Sequence, residues 1–473
     1  LGVDVAFSDQ FNMDRIRDFF KKEPSYRIVA FSSAILFAAL ALWSMLYRDF
    51  DHDEFEALHA AWMVFSGQTV YIDFFQHHHF LLYYLLSPLF GIFGEGTAVI
   101  MAARCVSLAF LVGIAYMTYR IARSAYGSDT ALLSTFFLMT TYMFLDKAIE
   151  IRPDVPFVFS ALVSVFFFLE YRESRRLRQL AWSAGALFVA FLFLQKAVFF
   201  GMVIGLIFLY ETYRKQFGWR EYTVFGGTFG ILLAGFIWYV SARFGWSEYL
   251  FLNWELNTRL LNGFPFYKYL LRSVAQSPFF WLMFVVGVGM LIKQKTWSTI
   301  ALFTAGLLGS VVLVKSPFPQ QYLMSLPFVA IVAATALAPF VKRYERIVAV
   351  VMMVSTLWSV GVVWYMWEDN DQQLAKIEYV LSMTNPEDLV YDGDAQFNIF
   401  RKDIDYFWFS VKPKTGNLTA YQITREYMYD PYQLIGEKQP KVISGSFINE
   451  KNPSITERYV RSDRFKELYI RNR

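Results

Sequence analysis

No charged residue interrupts the chain from Ile28 to Tyr47, and about 20 predominantly apolar residues are what an α-helix needs to cross the hydrocarbon core of a bilayer. Read by the same rule, further apolar runs fall near 98–119, 131–145, 155–169, 180–195, 197–210, 222–242, 277–292, 296–314, 321–341 and 347–367. The pattern predicts an all-α polytopic membrane protein with about eleven transmembrane helices. Several runs are short for a span, so extension past the apolar core, or tilt, is expected. Composition agrees: 56% of the 473 residues are hydrophobic and 18% are charged, where a soluble protein carries about a quarter charged. Soluble, disordered and collagen-like classes are thereby excluded. The 44 Lys and Arg nearly balance the 40 Asp and Glu, which argues against a nucleic-acid partner. The lone cysteine, Cys105, can form neither an intramolecular disulfide nor a thiolate zinc site.

Lys and Arg gather on the cytoplasmic side of membrane proteins, and alternate connections here differ in that way. One set carries Arg15, Arg17, Lys21 and Lys22, later Arg172, Arg175, Arg176 and Arg178, and later still Lys342, Arg343 and Arg346. The other set is sparser over longer segments. The N-terminus is therefore expected inside and, for an odd number of spans, the C-terminus outside. Residues 1–26, with Phe11, Ile16, Phe19 and Phe20 set among charges, read as a cytoplasmic amphipathic segment. Residues 27–367 make up the membrane domain. Residues 368–473 carry charges throughout, turn signals at Asp392-Gly393 and Thr415-Gly416, and strand-like runs such as Lys441-Val442-Ile443. They predict a small α/β domain of roughly 100 residues on the outer face.

The outer segment 48–97 holds Asp51, Asp53, Glu54 and Glu56 directly after the first span, then Tyr71, Asp73 and the run His77-His78-His79. Apolar residues keep helical spacing at Phe55, Leu58, Trp62 and Phe65, so this loop is expected to lie along the membrane as interfacial helices. Carboxylates beside hydrocarbon are costly without a partner or a task. A later outer turn, Glu150-Ile151-Arg152-Pro153-Asp154, brings more charge to the same face. The outer segment 244–277 mixes Trp246, Tyr249, Trp254 and Tyr267 with Asn253, Asn257 and Arg259. An aromatic belt at the interface accounts for such a composition, and so does a loop that closes over reactants and excludes water.

Asp53-Glu54 after the first span, Gly67 with Tyr71 and Asp73, His79 leading into a Leu/Tyr run, Gly94 with Arg104, and Arg152-Pro153-Asp154 together resemble the C-type glycosyltransferase superfamily. The resemblance is to its branch of protein O-mannosyltransferases and lipid A aminoarabinose transferases, over residues 28–367. The chain departs from the family pattern at His79-Phe80-Leu81, where proline is expected after the histidine. The resemblance implies an inverting enzyme in the bacterial cytoplasmic membrane. It would move one sugar from a polyprenyl phosphate to a glycolipid, polysaccharide or protein acceptor on the outer face.

Lipid phosphate leaves as a stable anion and needs no acid, whereas the incoming hydroxyl is helped by a carboxylate base. The family motif puts that role on Asp53, with Glu54 as second choice. Charge developing on the phosphate calls for fixed cations, and the candidates are Arg104, Arg152, Lys196, Arg259, Arg272 and Lys315. Each singly also fits an interfacial side chain whose head snorkels to water. Arg104, inside an apolar run, needs a carboxylate partner such as Asp53, Glu54 or Asp154. Tyr71, Asp73, His78, His79 and Asp154 are the candidates for holding acceptor and sugar. The chemistry requires no cofactor; the divalent-metal alternative uses Asp51, Asp53 and His77. Neighbours on a helix point about 100° apart, so at most two of the three histidines share one ion. A secondary transporter would carry its ionisable residues at mid-membrane and often two related halves, neither of which is visible. A polyprenyl-lipid flippase or a non-catalytic scaffold stays open beside the transferase.

Overall fold

The computed structural model describes residues 24–259, 263–293, 298–412, 416–446 and 448–472. Most of the expected amphipathic N-terminal segment therefore lies outside the described residues. The membrane part runs α1 (Ser25–Tyr47), α2 (His52–Phe65), α3 (Leu81–Phe93), α4 (Thr97–Tyr126), α5 (Ser128–Met139), α6 (Tyr142–Ala148), α7 (Asp154–Ser174), α8 (Leu177–Phe193), α9 (Ala197–Tyr213) and α10 (Trp219–Arg243). It continues with α11 (Trp246–Leu250), α12 (Tyr267–Gln276), α13 (Pro278–Lys293), α14 (Thr299–Leu313), α15 (Pro319–Tyr322), α16 (Leu326–Leu337) and α17 (Glu345–Tyr365). Helices α1, α4, α7, α10 and α17 are long and apolar enough to cross a membrane, and α12 with α13 passes as a pair bent by 108°. Helices α3, α8, α9, α14 and α16 are apolar but shorter. The chain is a multi-pass membrane protein by these helices.

One expected span changes in detail. The run near 131–145 breaks into α5 and α6, because the Thr140 and Thr141 hydroxyls both donate to the Phe137 carbonyl, at 3.2 and 2.7 Å. Side-chain hydroxyls competing for backbone acceptors interrupt a helical ladder in this way. Within the 48–97 segment, expected to form interfacial helices, Leu81–Phe93 is an apolar helix with Pro88 inside it. Glycine decides one close approach: a Cβ on Gly287 would sit 2.1 Å from the Val332 carbonyl oxygen. Small residues are what let membrane helices pack backbone to backbone, here α13 on α16.

After α17 the chain turns back onto the start of the molecule. The Asn370 N–H donates to the Tyr47 carbonyl at 3.1 Å. Gln373 bonds the Phe50 N–H and carbonyl at 2.7 and 2.9 Å. Helix α18 (Asp371–Met383) leads into a four-stranded mixed sheet of order β1-β2-β4-β3. Strand β1 (Val390–Tyr391) runs parallel to β2 (Val442–Ser444), and β4 (Leu468–Arg471) lies antiparallel between β2 and β3 (Tyr459–Arg461). Helices α19 (Asn417–Arg425) and α20 (Pro431–Lys438) complete it.

The segment between β1 and α19 packs on α2 and the loop after it. The Trp408 indole donates to the Phe75 carbonyl at 2.9 Å, and Arg401 bonds Glu95 at 2.7 Å. Fully buried His59 sits 2.9 Å from the Ile399 carbonyl and 2.5 Å from an Asp403 oxygen. Burial disfavours its charge, but Asp403 wins and the imidazole is held above its ordinary pKa. A raised pKa contributes stability below about pH 6.5 that is lost as pH climbs through the folded value. Hydrogen-exchange protection factors across 397–409, corrected for the intrinsic pH dependence of amide exchange, are therefore expected to be higher at pH 6 than at pH 8. His59→Ala should abolish that difference and loosen the docking by about 3 kcal/mol, the cost of stranding one partner of a buried pair.

Candidate functional site

The site begins with the cap of α2. Asp51 accepts the Asp53 N–H at 3.1 Å while Glu54 reaches back to the Asp51 N–H at 3.2 Å, a capping box that satisfies helix-end donors reciprocally. It fixes the acids of the first turn in distinct directions. Glu54 points inward and is fully buried. It accepts Arg104 Nη2 at 2.7 Å and Nε at 3.0 Å, and the Ile151 N–H at 3.1 Å. Arg104 gives its remaining donors to the Met45, Arg48 and Asp49 carbonyls at 3.2, 2.7 and 2.7 Å. This pair ties α1, α2, α4 and the turn before α7 together. Neither residue lines the cavity described next. The expectations of a phosphate-binding Arg104 and a reserve base at Glu54 are corrected accordingly: every strong donor of the guanidinium is already engaged.

Beside the cap lies a cavity of about 780 Å³. Asp51, His52, Asp53 and Glu56 face it from α2; His77 and His78 from the following loop; and Lys147, Arg152 and Asp154 from the α6–α7 turn. Lys196 stands between α8 and α9, Arg272 comes from α12, and Lys315 follows α14. Asp394, Phe409, Ser410 and Asn417 close it from the C-terminal segment.

Opposite charges alternate along its floor. Asp53 is paired with Arg152 and accepts from His52 Nε2 at 3.0 Å, while His52 Nδ1 lies 3.2 Å from Asp51. Bonds to Asp51 and then Asp53 push the His52 imidazole up to about 11. Burial works against the Asp53 carboxylate, but Arg152 and His52 hold it well below the usual range. Arg152 also approaches Glu150 at 3.4 Å and Asp154 at 3.7 Å. Lys147 bonds Glu150 at 2.6 Å, and burial nevertheless raises Glu150 to about 7. Lys196 bonds Asp154 at 2.6 Å; burial draws its pKa down despite that partner.

The remaining sequence candidates fall elsewhere. Arg259 is exposed, paired with Glu255 and Thr424. Asp73 is exposed and caps the Thr69 N–H at 2.6 Å, a turn contact. Tyr71, buried with φ 69, donates to the His78 carbonyl at 2.6 Å and so positions the histidine loop. His79 is buried between the Phe191 carbonyl (2.5 Å) and the Tyr249 hydroxyl (2.8 Å), outside the cavity. Tyr249, Asn253 and Asn257 thereby anchor the first half of the 244–277 segment, Asn257 Nδ2 donating to the His77 carbonyl at 3.0 Å. Asp51, Asp53 and His77 do not come together as a ligand set; the groupings are Asp51–His52–Asp53 and Glu56–His77–His78. Sequence reasoning missed Lys147 as a cavity residue and placed Glu56 in the acidic cluster without giving it a role. The three-residue spacing of Lys147 and Glu150 was the available signal for the first.

A second cavity, about 670 Å³ and apolar, adjoins the first; its walls include Phe266, Leu270, Val274, Trp281, Leu308 and Tyr322. The two share helices. On α12, Leu270 and Val274 face the apolar groove while Tyr269, Arg272 and Gln276 face the charged cavity. Helix α15 does the same with Tyr322 and Gln320.

Residues 77–239 match the family model of dolichyl-phosphate-mannose-protein mannosyltransferase. Among solved structures the fold is similar to ArnT from Cupriavidus metallidurans bound to undecaprenyl phosphate, with TM-score 0.66 and 12% identity over 93% of this chain and 97% of that one. It is also similar to the archaeal oligosaccharyltransferase AglB from Archaeoglobus fulgidus in complex with an inhibitory peptide and a dolichol-phosphate. There the TM-score is 0.56 and the identity 11%, over 94% of this chain and 74% of that one. No curated protein matches the sequence.

Proposed function

We propose, from the match of residues 77–239 to a mannosyltransferase family model and the likeness of the fold to ArnT, that this chain is a C-type glycosyltransferase and transfers a sugar from a polyprenyl phosphate to an acceptor hydroxyl at the outer face of a bacterial inner membrane. The observation that carries this reading is the shared wall of α12, with an apolar groove on one side and a charged cavity holding Asp53 on the other. A lipid-borne donor has the same two halves. The isoprenoid tail fits the groove, and the phosphate lies at the junction against Arg272, Lys315 and Lys196. The acceptor oxygen attacks the anomeric carbon, the bond to the phosphate oxygen breaks with its electron pair, and the hydroxyl proton passes to Asp53. Arg152 and His52 orient that carboxylate. A base works best with a pKa near the working pH, so a carboxylate held this low takes the proton late, after bond cleavage has made the attacking hydroxyl more acidic. Both similar structures named above contain a polyprenyl-type phosphate, which supports the donor class.

Purified protein in nanodiscs with radiolabelled polyprenyl-phosphate sugar and envelope glycolipid extract is expected to yield labelled acceptor and free polyprenyl phosphate. Donor translocated intact, or no consumption of the donor with any extract, would instead favour a flippase or a scaffold. Arg272→Ala is expected to lower kcat/KM for the lipid donor roughly 10–100-fold, the worth of one charge-assisted phosphate contact. Steady-state kinetics in donor concentration checks it.

A further inference from the structure

We propose that Glu56, His77 and His78 form a binding site for one zinc ion, separate from the charge network around Asp53. Their ligand atoms all lie within 4.8 Å of one another, and Glu56 Oε1 is 4.0 Å from His77 Nδ1. Four-coordinate zinc holds its ligand atoms about 2.0–2.2 Å away, hence roughly 3.5 Å apart, so side-chain rotation of about 1 Å closes the set. Glu56 is buried, and no donor reaches its Oε1 within hydrogen-bond geometry among the described residues, the Gln76 amide being the polar group that stands against the carboxylate; His78 Nδ1 also has no partner. A buried carboxylate oxygen and a buried imidazole nitrogen left unpaired are costly, and a cation answers both.

The backbone holds this arrangement from outside. Tyr71 bonds the His78 carbonyl at 2.6 Å and Asn257 the His77 carbonyl at 3.0 Å, while Asn417 Nδ2 stands 3.5 Å from His77 Nδ1. Among the described residues no Lys or Arg lies within ion-pair distance of Glu56, which instead sits near Asp53; burial and then that like charge raise it to about 8. Two imidazoles and one carboxylate select zinc over magnesium or calcium, which demand oxygen ligands. All three residues line the charged cavity, so a fourth coordination position opens onto it. The neighbouring Asp51–His52–Asp53 group is a poor rival, because His52 is already a charged donor to both acids.

The test uses full-length protein in detergent with any polyhistidine tag removed, equilibrated with zinc chloride, desalted and measured by plasma mass spectrometry. One zinc per chain is expected, and Glu56→Gln and His78→Ala should each retain less than about a tenth of it. His52→Ala should retain all of it. Cobalt-loaded wild type should show the intense visible bands of a four-coordinate ion, a readout independent of variant folding and of sugar transfer. No retained metal in the wild type at micromolar free zinc, six-coordinate cobalt spectra, or loss of metal in His52→Ala with retention in Glu56→Gln would each overturn the site.

Discussion

Asp53→Asn is expected to slow sugar transfer by about 10³-fold, within the usual range for loss of a general base, while KM for the lipid donor stays within about twofold. The amide keeps the size of the carboxylate and can still accept from His52, so the cap of α2 and the Glu54–Arg104 pair are left intact. What it loses is the capacity to take a proton and to counter Arg152. Single-turnover kinetics with saturating donor reads the chemical step directly, and near-wild-type rates would move the base to another cavity acid. Because Arg152 and His52 outweigh burial and keep Asp53 ionised, the wild-type rate should show no Asp53 titration between pH 8 and pH 5. A limb in that window that persists in Asp53→Asn belongs to another group, such as Glu150, whose pKa burial raises to about 7.

The second large effect is on stability. Arg104→Ala leaves the fully buried Glu54 without its counter-charge and the Met45, Arg48 and Asp49 carbonyls without donors. Stranding one member of a buried pair costs about 3–5 kcal/mol, a large part of the roughly 5–15 kcal/mol that holds a protein folded. The variant should melt far below wild type in detergent, by intrinsic fluorescence, and be recovered in low yield. Arg104→Lys should rescue little, since a point charge cannot serve two carboxylate oxygens and the carbonyls at once. A stable Arg104→Ala protein with a raised donor KM would restore the phosphate-binding role that the sequence suggested.

The helices that were legible in the sequence are those that lipid itself selects. α1, α4, α7, α10 and α17 are long apolar runs because nothing else crosses hydrocarbon. The break at Thr140 was hidden, because two hydroxyls bonding one carbonyl leave hydropathy unchanged. Helix α3 was legible only as one of the interfacial helices expected in segment 48–97, since its 13 residues fall below the spanning threshold. In the site, Asp53, Arg152, Asp154 and Lys196 stood out as charges beside apolar runs, and they do meet in one cavity. Arg259 and Asp73 carried the same signal but face water, since sign and membrane side say nothing of which way a helix is turned. Tyr71 and His79 were found but misassigned: each is a support for the loop that carries His77 and His78. Asp394, Ser410 and Asn417 could not have been found, because they reach the cavity through docking onto α2 that no local pattern encodes.

The double-faced α12 also governs how a reaction of this kind would end. A carrier seated as proposed straddles a rod of ten residues, its anionic stub on one flank and its isoprenes on the other. Once the sugar has gone, that stub stays tethered to a tail water does not dissolve, so the carrier must slip back sideways into the leaflet. Turnover would then be paced by two-dimensional traffic, slowing in stiffer bilayers and answering to carrier tail length even where chemistry is unchanged.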